Sequence, residues 1–124
     1  MHKIFCMIFL IALSTSAVAG SPLSGDQVKQ LITGNSVEAH SNAKGVDFKA
    51  YFAADGSASL EANGKNRKGV WHINESGEHC IQWNTQKENC GQIVDMGDGT
   101  YNRMEEGYPR AVWKKVHTGN AFGL

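Results

Sequence analysis

The side chains whose types could best bind a ligand are a histidine flanked by aromatic residues and an arginine further along the chain. His79 lies between Trp71 and Trp83 in the sequence, and Phe52 lies on an earlier apolar segment. Aromatic rings with a few polar groups among them are typical of a pocket for a small apolar or amphipathic ligand. We therefore take Trp71, Trp83, His79, Phe52 and Arg103 as candidate ligand-binding residues.

The same residues have a purely structural interpretation. Tryptophan and phenylalanine are usually core residues, and an inward-facing histidine is more often a hydrogen-bonded core residue than an axial haem ligand. In the hairpin register described below, His72 and His79 lie on opposite faces and cannot bind one ion together. The sequence therefore predicts neither a bound metal nor a cofactor.

Motifs for catalysis are missing from the sequence. It contains no Gly-x-Ser-x-Gly nucleophile elbow, no His-Glu-x-x-His zinc motif and no phosphate-binding loop. The acidic residues lie mostly in turns, as Asp55 and Asp98 do, or side by side, as Glu105 and Glu106 do. Solvation explains such positions, so we expect no catalytic residues and a protein that is not an enzyme.

The first nineteen residues have the pattern of a secretory signal. Lys3 precedes the apolar run Ile4–Leu13, and Ala17–Ala19 forms a small-residue cleavage site. The apolar run is too short to span a bilayer. We expect a signal peptide over 1–19, one domain over 20–124, and a periplasmic or secreted protein with no membrane span.

Charge and cysteine content narrow the class of protein further. The chain has 12 basic and 12 acidic residues, and this balance without a basic run argues against nucleic-acid binding. Cys80 and Cys90 are the two cysteines after the signal, and an even number in an oxidising compartment indicates a disulfide. It would stabilise the fold by about 2–3 kcal/mol. The rival interpretation, a metal site with His79, lacks the usual ligand spacing.

A turn at Asn74–Gly77 determines where the aromatic residues point. These residues suit a type I turn followed by a glycine at positive φ. If Asn74 pairs with Glu78, the residues opposite each other share a face of the sheet. That face carries Trp71, Ile73, His79, Ile81 and Trp83, and Gly69 opposite Trp83 leaves room for the indole ring.

Turns of the same kind divide the rest of the chain into short strands. Ala53–Gly56 turns a second hairpin over 46–62, which places Phe48, Ala50 and Phe52 on one face. Before it we expect a helix over 25–33, capped by Ser24 and packed as an N-terminal cap, and a strand over 35–40. After it we expect loops over 63–68 and 106–109, strands over 88–95, 100–105 and 110–116 with a bulge near Gly91, and a tail docked through Phe122.

One helix and about eight short strands joined by tight turns predict a mostly β protein. The fold we expect is a small antiparallel up-and-down β-barrel of about eight strands with one N-terminal helix, because barrel closure removes the exposed sheet edges. An open sheet and a two-sheet sandwich are the alternatives.

Several structural motifs carry a resemblance to known proteins. Tyr51–Gly56, Gly69–Trp71, Cys80–Trp83 with Cys90, and Gly119–Asn120 resemble a family of small exported proteobacterial proteins of unknown function. The Asp-Gly turn followed by Gly-x-Trp also loosely resembles lipocalin-like β-barrel domains. The resemblance implies a barrel in the cell envelope and brings no catalytic residues. True lipocalins are longer and hold a roomier cavity.

Together these features predict an exported, non-catalytic binding module for a small amphipathic ligand. The alternative is a protein-binding or structural envelope protein, inhibitor-like, that uses the predicted loops at 63–68 and 106–109 as contacts. The interior volume separates the two hypotheses. A hollow barrel favours the small ligand, and a filled barrel favours the protein partner.

Overall fold

The computed structural model describes residues 20–124, so the predicted signal peptide lies outside the described residues. The described part of the chain consists of one helix and nine strands. They are β1 (Ser21–Pro22), α1 (Gly25–Ile32), β2 (Asn35–Ser41), β3 (Val46–Phe52), β4 (Ser57–Ala62), β5 (Lys65–Ile73), β6 (His79–Trp83), β7 (Asn89–Asp95), β8 (Tyr101–Glu105) and β9 (Tyr108–His117).

Strands β2 to β9 form a closed antiparallel barrel. Each strand pairs with the next one along the chain, and β9 pairs back with β2. The short strand β1 pairs with the C-terminal end of β7, where Ser21 lies opposite Asp95. The predicted up-and-down barrel with one helix is therefore confirmed, in preference to an open sheet or a sandwich.

The two hairpins that place the aromatic residues have the predicted registers. In the central hairpin Trp71 lies opposite Ile81, and Gly69 lies opposite Trp83. A methyl group at Gly69 would lie 2.9 Å from the Trp83 ring and 2.2 Å from a main-chain oxygen. This close approach explains why the position facing the indole is a glycine. Phe52 pairs with Ala58, as the second hairpin predicts.

The predicted loop over 63–68 is wrong. Asn63 and Gly64 both have positive φ, at 54° and 76°, and form a two-residue turn of the kind that joins twisted strands. Strand β5 begins directly afterwards, so 65–68 pair with β4. The predicted loop over 106–109 is shorter than expected for the same reason, since Glu106 and Gly107 form an equivalent turn and β9 begins at Tyr108.

The predicted bulge near Gly91 is also misplaced. Strand β7 runs in regular register against both β6 and β8. The register shifts occur where β9 meets its neighbours, between Arg103 and Met104 and between Glu38 and Ala39. Ile93 and Arg103 still point inwards together, because the pairing of β7 with β8 places them opposite each other.

The disulfide and the C-terminal tail lie on the outside of the barrel. Cys80 and Cys90 face each other on neighbouring strands and are joined by the predicted disulfide. The tail folds back onto β2, where the buried Ser36 hydroxyl donates to the Gly119 carbonyl at 2.6 Å. Phe122 packs edge-on against His117, as the predicted docking of the tail requires.

Alternation of the strands gives the barrel two different ends. The turns at 42–45, 63–64, 84–88 and 106–107 lie together at what we call the open end. Helix α1, which precedes β2 in the chain, lies at the opposite end of the barrel. Its Val28 and Ile32 side chains are fully buried in the core. Ser24 and Gln27 cap each other at its start. No helix within 20–124 has the length and apolar character to cross a bilayer.

Candidate functional site

A cavity of about 450 Å³ enters the barrel from the open end. Its deepest lining residues are Phe52, His79 and Trp113, each almost completely buried. Apolar side chains form the wall above them, and polar and basic side chains surround the entrance. The apolar wall includes Phe48, Ala50, Leu60, Ile81, Trp83 and Ala111.

Four of the five candidate ligand-binding residues line this cavity. They are Phe52, His79, Trp83 and Arg103. The fifth, Trp71, lies beneath the floor towards the helix, where its indole nitrogen donates to the Ala53 carbonyl at 2.9 Å. Trp71 therefore supports the floor rather than lining the cavity.

The floor is an aromatic cluster packed around the imidazole of His79. The ring centroid of His79 lies 4.9 Å from that of Phe52 and 5.3 Å from that of Trp113, both in edge-to-face geometry. Such contacts add about 0.5–1.5 kcal/mol per pair beyond the burial of the rings. Trp113 is therefore a central floor residue, although it is not among the five candidates. The alternation of inward and outward side chains along β9 could have indicated it.

Arg103 holds the polar side of the floor together. Its Nε donates to His79 Nδ1 at 3.0 Å, and a terminal nitrogen donates to the main-chain oxygens of His79 at 2.8 Å and Asn89 at 3.2 Å. The other terminal nitrogen forms an ion pair with Glu105. Glu105, expected to be a solvated surface acid, is therefore the partly buried partner of this guanidinium.

A glycine makes room for Arg103. Gly91 lies opposite His79, and a methyl group there would lie 3.2 Å from Arg103 Cγ and 2.6 Å from the Met104 carbonyl oxygen. The guanidinium can cross from β8 to β6 because β7 has no side chain at this position.

The same contacts settle the proton position and the charge of His79. Since the Arg103 Nε is always a donor, Nδ1 must accept, and the ring proton lies on Nε2. Burial, together with the positive charges of Arg103 and His72, lowers the pKa of His79 well below its usual value of 6.5. The imidazole is therefore neutral, and Nε2 has no hydrogen-bond partner within 20–124.

The lowered pKa of His79 predicts a loss of stability in mild acid. The unfolded chain binds a proton at His79 near pH 6.5, whereas the folded protein binds it only at lower pH. The contribution is therefore fully present above that value and is lost as the pH falls. We expect the free energy of unfolding to fall by up to about 1.4 kcal/mol per pH unit as the pH falls below about 6.

Urea unfolding at several pH values measures this slope. His79→Gln should flatten it, and the matched control His72→Gln, at an exposed position outside the barrel, should keep it. An unchanged slope in His79→Gln would assign the acid sensitivity to other groups.

Basic side chains surround the cavity entrance. Five cationic residues line the cavity and its mouth, against the single carboxylate of Glu105; they are Lys44, Lys65, Arg67, Arg103 and Arg110. Strand alternation turns Arg67 inwards on the same face as Trp71, opposite Leu60, and it is half-buried. The polar, basic composition of 63–68 favours a solvated turn over an anion site, so Arg67 is not among the five candidates. The Asn63–Gly64 turn signal and the parity of β5 would have indicated that it points inwards.

No metal site is formed by the residues that the structure describes. Within 20–124, the one group of three or more potential ligands close enough together to hold an ion is His72, Cys80 and Glu88 on the outside of the barrel. Cys80 is bonded to Cys90 in the disulfide, so its sulfur is not available as a thiolate ligand. His72 and His79 lie on opposite faces, as predicted.

Comparison of the chain with models of known protein families and with curated proteins found no match in either set. The resemblance to small exported proteobacterial proteins and to lipocalin-like domains therefore stays a prediction from the sequence motifs. Any assignment of function accordingly depends on the geometry of the cavity and the chemistry of its lining.

Proposed function

We propose that this chain is an exported, non-catalytic binding module that holds a small amphipathic ligand in the open end of its barrel. The observation that carries the proposal is a hollow interior in a chain of this length. An apolar cavity with a few polar groups at defined positions is the usual form of a small-molecule site.

The size of the cavity limits the ligand. At roughly 30 Å³ for each water-sized group, 450 Å³ holds on the order of 15 non-hydrogen atoms. This volume suits a single medium-length alkyl chain or one or two aromatic rings. The alanines at positions 50 and 111 leave much of this space free, because larger side chains there would fill the barrel.

A direct test combines calorimetric titration with a cavity-filling variant. We expect decanoate or decanol to bind the chain lacking residues 1–19, and Leu60→Trp, which fills the cavity wall, to weaken that binding at least about tenfold. The matched control is Val70→Trp, because Val70 is 54% exposed on the outside of the barrel. Absence of binding by any amphiphile, or equal binding by Leu60→Trp, would contradict the proposal.

The alternative, recognition of an envelope protein, has one supporting observation. Tyr108 follows the 106–107 turn at the open end and is 49% exposed, and exposed tyrosines are common in protein interfaces. Under this alternative, Tyr108→Ser should abolish capture of an envelope protein by the purified chain, whereas Leu60→Trp should not.

A further inference from the structure

The charges of the described chain are unevenly distributed. The sequence as a whole has a formal net charge of zero, yet five cations and one carboxylate line a single cavity. His79 adds no charge there, because its pKa is lowered well below 6.5. Clefts lined by one sign of charge concentrate ligands of the opposite sign. The entrance is therefore suited to an anion.

The five cations are not equally available to a ligand. Arg103 is already committed to Glu105, His79 and Asn89. Arg110, at the rim, lies 3.6 Å from the other oxygen of Glu105. Within 20–124, none of the ion pairs involves Lys44, Lys65 or Arg67.

Among these three, Arg67 is the one best placed to contact a bound molecule. Lys44 and Lys65 are exposed at the mouth, but Arg67 is half-buried and points inwards next to the apolar wall. Within 20–124, no side-chain hydrogen bond or ion pair occupies the Arg67 guanidinium, so its donors are available to a ligand. Its planar fork of donors matches a carboxylate, sulfate or phosphate group.

We propose that the ligand is a single-chain anionic amphiphile, whose headgroup binds Arg67 at the cavity mouth with support from Lys65 and Lys44. This inference rests on the proposed function and adds the charge and the orientation of the ligand. The apolar chain extends down the barrel along Leu60 and Ile81 towards Trp113 and Phe52. The Arg103–Glu105 pair holds the polar side of the floor and does not bind the headgroup.

A series of ligands with the same chain and different headgroups tests the charge. We expect decanoate, decyl sulfate and decyl phosphate to bind at least about tenfold more tightly than decanol, and decylamine to bind less tightly than decanol. Comparison of the three anions shows which headgroup is preferred. The advantage of the anions should shrink as salt is added, because salt screens exposed charges.

A pair of neighbouring variants tests the residue. Arg67→Gln should weaken decanoate binding at least about tenfold and leave decanol binding within about twofold. The matched control is Lys68→Gln, which removes the same charge from the next residue of β5, where the ammonium points outwards to Ser59 at 3.0 Å. It should change neither affinity by more than about twofold.

The outcomes separate this inference from the function on which it rests. If no ligand of the series binds, both fail. If decanol binds as tightly as decanoate, or if Arg67→Gln has no more effect than Lys68→Gln, the binding module stands and the anionic headgroup is wrong. Should Arg67→Gln fail to fold, the headgroup series and its salt dependence with the unchanged chain still decide the charge of the ligand.

Discussion

Replacing Arg103 by methionine should lower the free energy of unfolding by about 3–5 kcal/mol, the usual cost of removing one partner of a buried ion pair. The Arg103 side chain is 9% exposed, and methionine keeps much of its length without its charge. The substitution leaves Glu105 without its main partner and the main-chain oxygens of His79 and Asn89 without their side-chain donor. Urea unfolding with the disulfide intact measures the loss.

Two further variants identify the cause of that loss. Arg110 also approaches Glu105, but it is half-exposed and lies at 3.6 Å, so Arg110→Met should cost less than about 1 kcal/mol. Adding Glu105→Gln to Arg103→Met should recover part of the loss, because the partly buried carboxylate that lost its main partner is then neutral. A loss below about 1 kcal/mol in Arg103→Met, or an equal loss in Arg110→Met, would mean that the guanidinium does not hold the floor together.

Truncating Phe52 to alanine should cost about 3–5 kcal/mol, the range for removing a large aromatic side chain from a core. The ring is 2% exposed and contacts three other rings, with centroids 4.9 Å away at His79, 5.7 Å at Trp71 and 5.9 Å at Trp113. The space that it vacates joins the cavity, so water can enter. The result should therefore lie near the lower end of the range.

The neighbouring tyrosine is the matched control for this truncation. Tyr51 precedes Phe52 on β3 and faces the outside of the barrel, half-buried. Tyr51→Ala should cost about 1 kcal/mol or less, since surface substitutions away from a packed core have small effects. Thermal and urea unfolding of the two variants should differ clearly. Equal losses would show that the rings of the floor are not the main apolar contact of the barrel.

The barrel could be predicted largely because local signals agreed with one another. Asn74–Gly77 fixes one hairpin by its turn chemistry, and the alternation of apolar residues on both sides requires the same register. A shift by one residue would expose Trp71 and Trp83, so the sequence tolerates only one pairing. The even number of cysteines after the signal predicts the disulfide, and joining Cys80 to Cys90 then sets β7 against β6 in the register that the structure has.

The cavity entrance could not be predicted in the same way, because inward positions near an opening need not be apolar. In β5 the residues pointing inwards change from Trp71 to Arg67 and Lys65 as the strand approaches the mouth. These polar inward residues give the stretch the composition of a solvated loop, so the sequence over Asn63–Lys68 wrongly predicts a loop. The ion pair of Arg103 with Glu105 was not predicted, because the adjacent acids Glu105 and Glu106 were interpreted as solvated. Residues two apart on a strand share a face, so the alternation of β8 could have indicated the pair.

The most direct test of the binding site is a methyl NMR titration of the chain lacking residues 1–19 with decanoate. We expect saturable chemical-shift changes at Leu60 and Ile81, which line the cavity, with little change at Val28 and Ile32 of helix α1, at the opposite end of the barrel. The same spectra of Arg67→Gln should need at least about tenfold more decanoate to reach the same shifts. Shifts that are absent, or that appear at Val70 on the outer surface instead, would contradict a ligand bound inside the barrel.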